Sequence, residues 1–155
     1  MDKIINCIII NGPNINMLGV REPELYSNKT LKEIEENLYT LSQELSIHIE
    51  TFQSNSEGKL VDFIQDSYQQ ADGFIINPAA LSCYGYSMLE ALIATKVPFI
   101  EVHLSNIYAR ERWHSDSIFS SKAVAVMAGM KDYIYESGVR AMCHYISENY
   151  RKTEE

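Results

Sequence analysis

At 155 residues, 46% of them apolar, the chain is long enough to bury one continuous core without disulfides or a structural metal, and too short to make a second domain the expectation. Thirteen basic against twenty-one acidic side chains give a net charge of −8, and no run of Lys or Arg offers a face to phosphates, which argues against a nucleic-acid partner. Three widely spaced cysteines, Cys7, Cys83 and Cys143, form neither a disulfide framework nor a Cys-x-x-Cys motif and suit a reducing cytoplasm. Met1 to Ile10 lacks the pattern of an export signal, and no apolar stretch approaches the ~20 residues of a membrane-spanning helix, so a soluble, cytoplasmic protein is expected.

Ile4 to Ile10 is a β-branched run that ends in Asn11-Gly12-Pro13-Asn14, the pattern of a buried strand delivered into a sharp turn. Gly19 to Lys29 has neither helical nor strand periodicity and is expected to be a mobile loop with a task of its own. Thr30 and Glu33 form a capping box, after which Leu31, Ile34, Leu38, Leu41 and Leu45 recur at helical spacing. Ile47, Ile49 and Thr51 to Gln53 predict a second strand, and Leu60, Phe63, Ile64 and Tyr68 a second helix. A third strand over Gly73 to Ile76, a helix over about Tyr84 to Thr95, strands over Val97 to Val102 and Ala123 to Met127, and a last helix over about Lys131 to Tyr150 follow. Strictly alternating strands and helices predict a parallel five-stranded sheet covered on both faces, in one domain over residues 1–150 with a frayed tail at 151–155.

In an open parallel sheet ligands lie outside the carboxyl ends of the strands, and here those ends are polar. They read Asn11-Gly12-Pro13-Asn14, Gln53-Ser54-Asn55, Asn77, and Glu101-Val102-His103-Leu104-Ser105-Asn106. Any one of these is explained by turn formation, but four ends of this kind point to a site. His103 stands where an imidazole can act as a general acid or base, whereas His48 alternates with apolar strand residues and His144 falls inside the last helix. No His-x-x-x-His pair with a Glu suggests zinc, and no Gly-rich phosphate loop follows the first strand, which weighs against a flavin. Arg21 and Tyr26 share the long loop. A free phenol ionises near ~10, so a phenolate base at neutral pH needs roughly 4 kcal/mol of differential stabilisation, and a nearby guanidinium can supply much of it. A surface tyrosine beside an exposed arginine is the plainer alternative.

The segment Asn11-Gly12-Pro13-Asn14-Ile15-Asn16-Met17-Leu18-Gly19, followed by Arg21-Glu22-Pro23 and Tyr26, resembles the opening of the type II 3-dehydroquinate dehydratases. Further matches are Gln53-Ser54-Asn55 with Glu57-Gly58, Ile76-Asn77-Pro78-Ala79-Ala80, Ile100 to Ile107, and Ala109-Arg110-Glu111. The resemblance implies a flavodoxin-like three-layer fold, a tetramer of trimers, no cofactor or metal, and dehydration of 3-dehydroquinate to 3-dehydroshikimate. By position it makes Tyr26 the base, held as phenolate by Arg21, and His103 the acid that protonates the departing hydroxyl, with Glu101 orienting it. Asn14 and Asn77 would orient the ring and a water that stabilises the enolate, while Leu104 and Ser105 would grip the substrate carboxylate. Arg110 matches as a structural or loop-anchoring arginine.

The chain departs from the family pattern at the end that reads the substrate's vicinal hydroxyls. Cys83 stands where the family has a histidine, Glu90 where it has an aspartate, and His114 where it has an arginine, with Arg112 a neighbouring cation that could compensate. Charge-assisted hydrogen bonds contribute about 1.5 to 3 kcal/mol each, so recognition is more exposed to these changes than chemistry is. The alternatives are the same elimination on a related β-hydroxy ketone carboxylate, and a non-catalytic protein that binds a carboxylated metabolite.

Overall fold

The computed structural model describes residues 4–151. Five strands, β1 (Asn6–Asn11), β2 (His48–Gln53), β3 (Gly73–Asn77), β4 (Phe99–His103) and β5 (Ala125–Ala128), pair in parallel in the order β2-β1-β3-β4-β5. Helices α1 (Leu31–Leu45), α2 (Glu57–Ser67), α3 (Tyr86–Thr95) and the single turn α4 (Arg112–Ser115) lie in the connections, and α5 (Tyr133–Arg151) follows β5. This is the expected flavodoxin-like three-layer arrangement, with its topological switch between β1 and β3.

Period-two alternation divides the core. Cys7 and Ile9 of β1, Ile75 of β3, and Ile100 and Val102 of β4 face α1 and α5, where Ile34, Leu38, Leu41, Val139 and Met142 close the layer. Ile8, Ile10, Phe74, Ile76 and Phe99 face α2 and α3, against Leu60, Ile64, Met88 and Leu92. Both faces of the central strands are apolar because both are covered, so these strands read as continuous hydrophobic runs. Each fully buried aliphatic side chain contributes about 1.5 to 3 kcal/mol of transfer free energy. Glu101 breaks the pattern: it shares a face with Phe99 and His103, and it is fully buried.

The capping box forms as expected, with Thr30 Oγ1 accepting the Glu33 backbone N–H and the Thr30 N–H donating to Glu33 Oε2 at 2.7 Å. Several boundaries move by physical causes that periodicity does not reveal. Tyr84 and Gly85 leave a 3-10 turn over Ala79–Cys83, so α3 begins only at Tyr86. Met130 and Lys131 hold positive φ (65° and 53°), which delays α5 to Tyr133. β4 starts at Phe99, after Pro98, and runs through His103. The tail expected to fray lies, past Arg151, outside the described residues.

At the switch point the chain segments touch. The Gly12 N–H donates to the Asn77 carbonyl at 2.8 Å, and a Cβ at Gly12 would sit 2.4 Å from the Pro78 carbonyl oxygen. Only glycine permits that approach, which brings the exits of β1 and β3 onto one rim.

Candidate active site

The exits of β1, β3 and β4 and the loop over 19–29 surround one cavity of about 80 Å³, lined by Asn14, Arg21, Tyr26, Asn77, His103 and Ser105 among others. Leu104 and His114 also line it. A larger hollow of about 610 Å³ lies between α3 and α5 and mixes aliphatic side chains with Asp72, Lys96, Lys122 and Asn149. It contains none of the polar strand ends, so the smaller cavity is the candidate site in spite of its size.

The loop expected to be mobile is folded down over the strand ends. It forms neither helix nor strand; Leu25 packs against the α1/α5 core, and Tyr26 and Ser27 are buried. Its turns are closed by the Arg21 N–H donating to the Met17 carbonyl and the Tyr26 N–H to the Glu22 carbonyl. Arg21 Nη2 donates to Tyr26 Oη at 3.0 Å, with the guanidinium 4.5 Å from the ring centroid. Arg110 Nη1 donates to the same oxygen at 3.0 Å and to Ser105 Oγ at 3.2 Å. Arg110, expected to be a structural or loop-anchoring arginine, bonds the loop at Tyr26 and thereby also sets a second cation on the phenol oxygen, from a position 84 residues away.

The same cavity is lined by an imidazole that is backed by a carboxylate. Glu101 and His103 lie two apart on β4, so strand geometry puts their side chains on the same face, and His103 Nε2 lies 2.8 Å from Glu101 Oε1. Ser117 Oγ donates to Oε1 as well, and Ser120 Oγ donates to Oε2 at 2.5 Å. Burial pushes the Glu101 carboxyl up, but the bonds from His103, Ser117 and Ser120 more than offset it and hold the group below the ordinary carboxylate range. A carboxylate can only accept, so His103 Nε2 carries a proton and Nδ1 is the nitrogen left for chemistry. Ser117 and Ser120 escaped the sequence reading, since nothing in their local pattern marks them as partners of a strand sixteen or more residues earlier.

The two asparagines are locked in different ways. Asn14 adopts the left-handed conformation (φ 69°), and its N–H donates to Asn55 Oδ1 at 2.9 Å. Asn77 Nδ2 donates to Tyr135 Oη at 3.0 Å, Tyr135 donates to Asn11 Oδ1 at 2.6 Å, and the Ala79 N–H donates to Asn77 Oδ1 at 3.2 Å. Tyr135 is fully buried, and that burial pushes its ionisation far above the ordinary phenol value. It is thus a neutral hydroxyl that fixes amides at the ends of both β1 and β3.

The remaining expected contacts divide. His114 reaches the cavity, packed against Trp113 with ring centroids 3.5 Å apart. Burial and the Arg110 charge hold its imidazole below the usual histidine range, and the Glu111 carboxylate offsets only part of this. Its Nδ1 lies 3.0 Å from Glu111 Oε2 but in an orientation that makes no hydrogen bond. Cys83, expected at the hydroxyl end, instead donates from Sγ to the Trp113 carbonyl at 2.9 Å and does not line the cavity. Glu90 is exposed on α3 and does not reach the cavity within this chain. Arg112, the suggested compensating cation, points outward with its side chain 92% exposed and faces Asp116 at 3.7 Å. Among the described residues no three His, Cys, Asp or Glu side chains gather where an ion could be held.

A doubly wound α/β fold thus holds an arginine-bonded phenol and a carboxylate-backed imidazole in the wall of one cavity, the side-chain types of an acid-base site. The family model for class II dehydroquinases matches residues 5–143, and the chain belongs to that family. It is 52% identical over 130 residues to the 3-dehydroquinate dehydratase of Endomicrobium trichonymphae, covering 84% of this chain and 89% of that one. It is 42% identical over 144 residues to the 3-dehydroquinate dehydratase of Prochlorococcus marinus strain MIT 9301, covering 93% and 98%. The crystal structure of a type II dehydroquinase from Butyrivibrio crossotus superposes with a TM-score of 0.87 at 31% identity, covering 90% of this chain and 97% of that chain.

Proposed function

We propose that this chain is a 3-dehydroquinate dehydratase that removes water by anti elimination through an enolate. The observation that carries the reading is a phenol oxygen bonded by two guanidinium groups, Arg21 and Arg110, in the cavity that also holds the Glu101-backed His103. Both arginines can only donate, so Tyr26 Oη is cast as an acceptor, the part a phenolate base plays. Tyr26 takes the proton alpha to the substrate ketone. The bond electrons become the carbon–carbon bond of the enolate, and Asn14 with the Tyr135-locked Asn77 orients the ring and a water that stabilises the developing charge. Collapse of the enolate expels the β-hydroxyl, to which His103 delivers a proton from Nδ1 while its Nε2 proton stays hydrogen-bonded to Glu101. The phenol proton then restores His103 through solvent, and one water leaves per turnover. Leu104 and Ser105 hold the substrate carboxylate.

The loop over 19–29 contributes Arg21 and Tyr26 to the cavity wall, and on this reading it opens to admit the ring and closes to exclude solvent. The decisive experiment mixes purified protein with 3-dehydroquinate and follows the ultraviolet absorption of the conjugated enone. Steady growth of that band supports the reading, and its absence with folded protein defeats it.

A second reading keeps the chemistry and changes the substrate to a related β-hydroxy ketone carboxylate. It is favoured by the hydroxyl end of the cavity, where His114 replaces a permanent cation and Arg112 turns to solvent. Family kinship also supports a trimer-based dodecamer working in the cytoplasm, which light scattering and fractionation test.

A further inference from the structure

The far end of the loop that carries Arg21 and Tyr26 is fastened by three residues that none of the family-like segments contains. Ser27, next to Tyr26 and fully buried, donates from its hydroxyl to Asp132 Oδ1 at 2.9 Å and accepts the Lys29 N–H at 3.1 Å. Lys29 Nζ donates to the other carboxylate oxygen, Asp132 Oδ2, at 2.8 Å. One carboxylate thus takes a loop donor on each oxygen. Burial pushes the Asp132 carboxyl up, but the bonds from Lys29 and Ser27 more than offset this and keep it ionised to lower pH than an ordinary aspartate.

Asp132 is itself tied to the acid side of the cavity. It follows the turn Gly129–Met130–Lys131, in which all three residues hold positive φ (98°, 65° and 53°). The Gly129 N–H donates to the His103 carbonyl at 3.0 Å, and the Lys131 N–H donates to the Leu104 carbonyl at 3.0 Å. Covalent and hydrogen-bonded steps therefore run from Tyr26 through Ser27, Asp132 and the turn to the backbone of His103. The loop could have been anchored anywhere on the surface; it is anchored to the segment that holds the end of β4.

We infer that Asp132 is a positioning residue, whose carboxylate latches the Tyr26 loop to the end of β4 and so sets the base at its working separation from His103. The effect on turnover rests on the acid-base reading proposed above; the latch itself rests on contacts alone. Lys29 is half exposed and its ion pair is screened, so the buried Ser27 bond carries most of the effect. Asp132→Asn, which keeps an oxygen for Ser27 and loses the charge, should therefore stay close to wild type, whereas Asp132→Ala loses both contacts.

The test compares wild type, Asp132→Asn, Asp132→Ala and Ser27→Ala in two measurements: the rate of limited trypsin cleavage after Arg21 or Lys29, and steady-state kinetics on 3-dehydroquinate. For Asp132→Ala we expect roughly tenfold faster cleavage and about tenfold lower kcat with KM changed less than about threefold, the scale of losing one buried hydrogen bond from the closed state. Asp132→Asn should remain within about threefold of wild type in both, the scale of a screened surface ion pair. Wild-type cleavage or wild-type kcat in folded Asp132→Ala overturns the inference, as does Asp132→Asn behaving like Asp132→Ala. Should Asp132→Ala fail to fold, Ser27→Ala, which removes one hydroxyl, carries the same comparison. Absence of turnover in the wild type would defeat the proposed function alone, because the cleavage rates still decide whether the latch exists.

Discussion

Replacing Arg110 by methionine keeps the aliphatic bulk and removes the guanidinium that donates to Tyr26 Oη at 3.0 Å and to Ser105 Oγ at 3.2 Å. A hydrogen bond to a charged group is worth about 1.5 to 3 kcal/mol, and about 1.4 kcal/mol corresponds to a factor of ten. Loss of the Tyr26 contact alone then lowers kcat by roughly ten- to 150-fold, with a smaller rise in KM if Ser105 no longer meets the substrate carboxylate in register. Arg21 still donates to the phenol at 3.0 Å, so activity should be reduced rather than abolished. The double variant Arg21→Met/Arg110→Met should lose more or less than the product of the single losses, since both cations act on one oxygen. Arg110→Lys, which restores the charge without the planar fork, should recover only part of the rate. Initial rates from enone absorption measure wild type, the two single methionine variants, the double variant and Arg110→Lys. An Arg110→Met enzyme within twofold of wild type in kcat would refute the claim that the second guanidinium supports the base.

Glu101→Gln places an amide among three groups that donate to the carboxylate, His103, Ser117 and Ser120, and should cost about 1 to 3 kcal/mol of stability along with at least tenfold in kcat. The Glu101 pKa is depressed in the folded state, so its contribution is fully present above the unfolded value near ~4.3 and is lost as pH falls through the lower folded value. Urea denaturation should accordingly show a full stability gap between wild type and Glu101→Gln at neutral pH that closes below about pH 4; a gap independent of pH would contradict this. At the hydroxyl end, His114→Arg restores a permanent cation to the cavity wall and should lower KM for 3-dehydroquinate, while Cys83→His breaks the Sγ to Trp113 carbonyl bond and should help little by itself. If neither variant changes KM, these positions do not limit recognition.

The fold was legible because its central strands are buried on both faces and its first helix carries a complete capping box, two local signals that need no tertiary knowledge. The polar strand ends were legible for the same reason: Asn11, Asn77 and His103 are the last residues of β1, β3 and β4, and parallel registry brings such ends together. What stayed hidden depends on closures over long chain separations. Arg110 meets Tyr26 only after the loop folds onto the exit of β4, and Ser117 and Ser120 reach Glu101 only after the chain turns back beneath it. Cys83 occupies a position that resemblance assigns to a substrate contact, yet its thiol turns to the Trp113 carbonyl, an outcome of side-chain size and direction that alignment by position does not carry. The late starts of α3 and α5 follow from turn conformations at Tyr84, Met130 and Lys131, residues with no strong turn signature.

The central claim is that Tyr26 is the base of an elimination in which His103 is the acid. Its most direct test is the turnover of 3-dehydroquinate by Tyr26→Phe beside wild type, with circular dichroism and melting temperature confirming that both are folded. Loss of one oxygen should lower kcat by about a thousandfold or more, the scale expected when a proton-transfer group is deleted from a working acid-base set, while leaving substrate binding largely intact. A folded Tyr26→Phe enzyme that keeps the wild-type rate would contradict the account at its root.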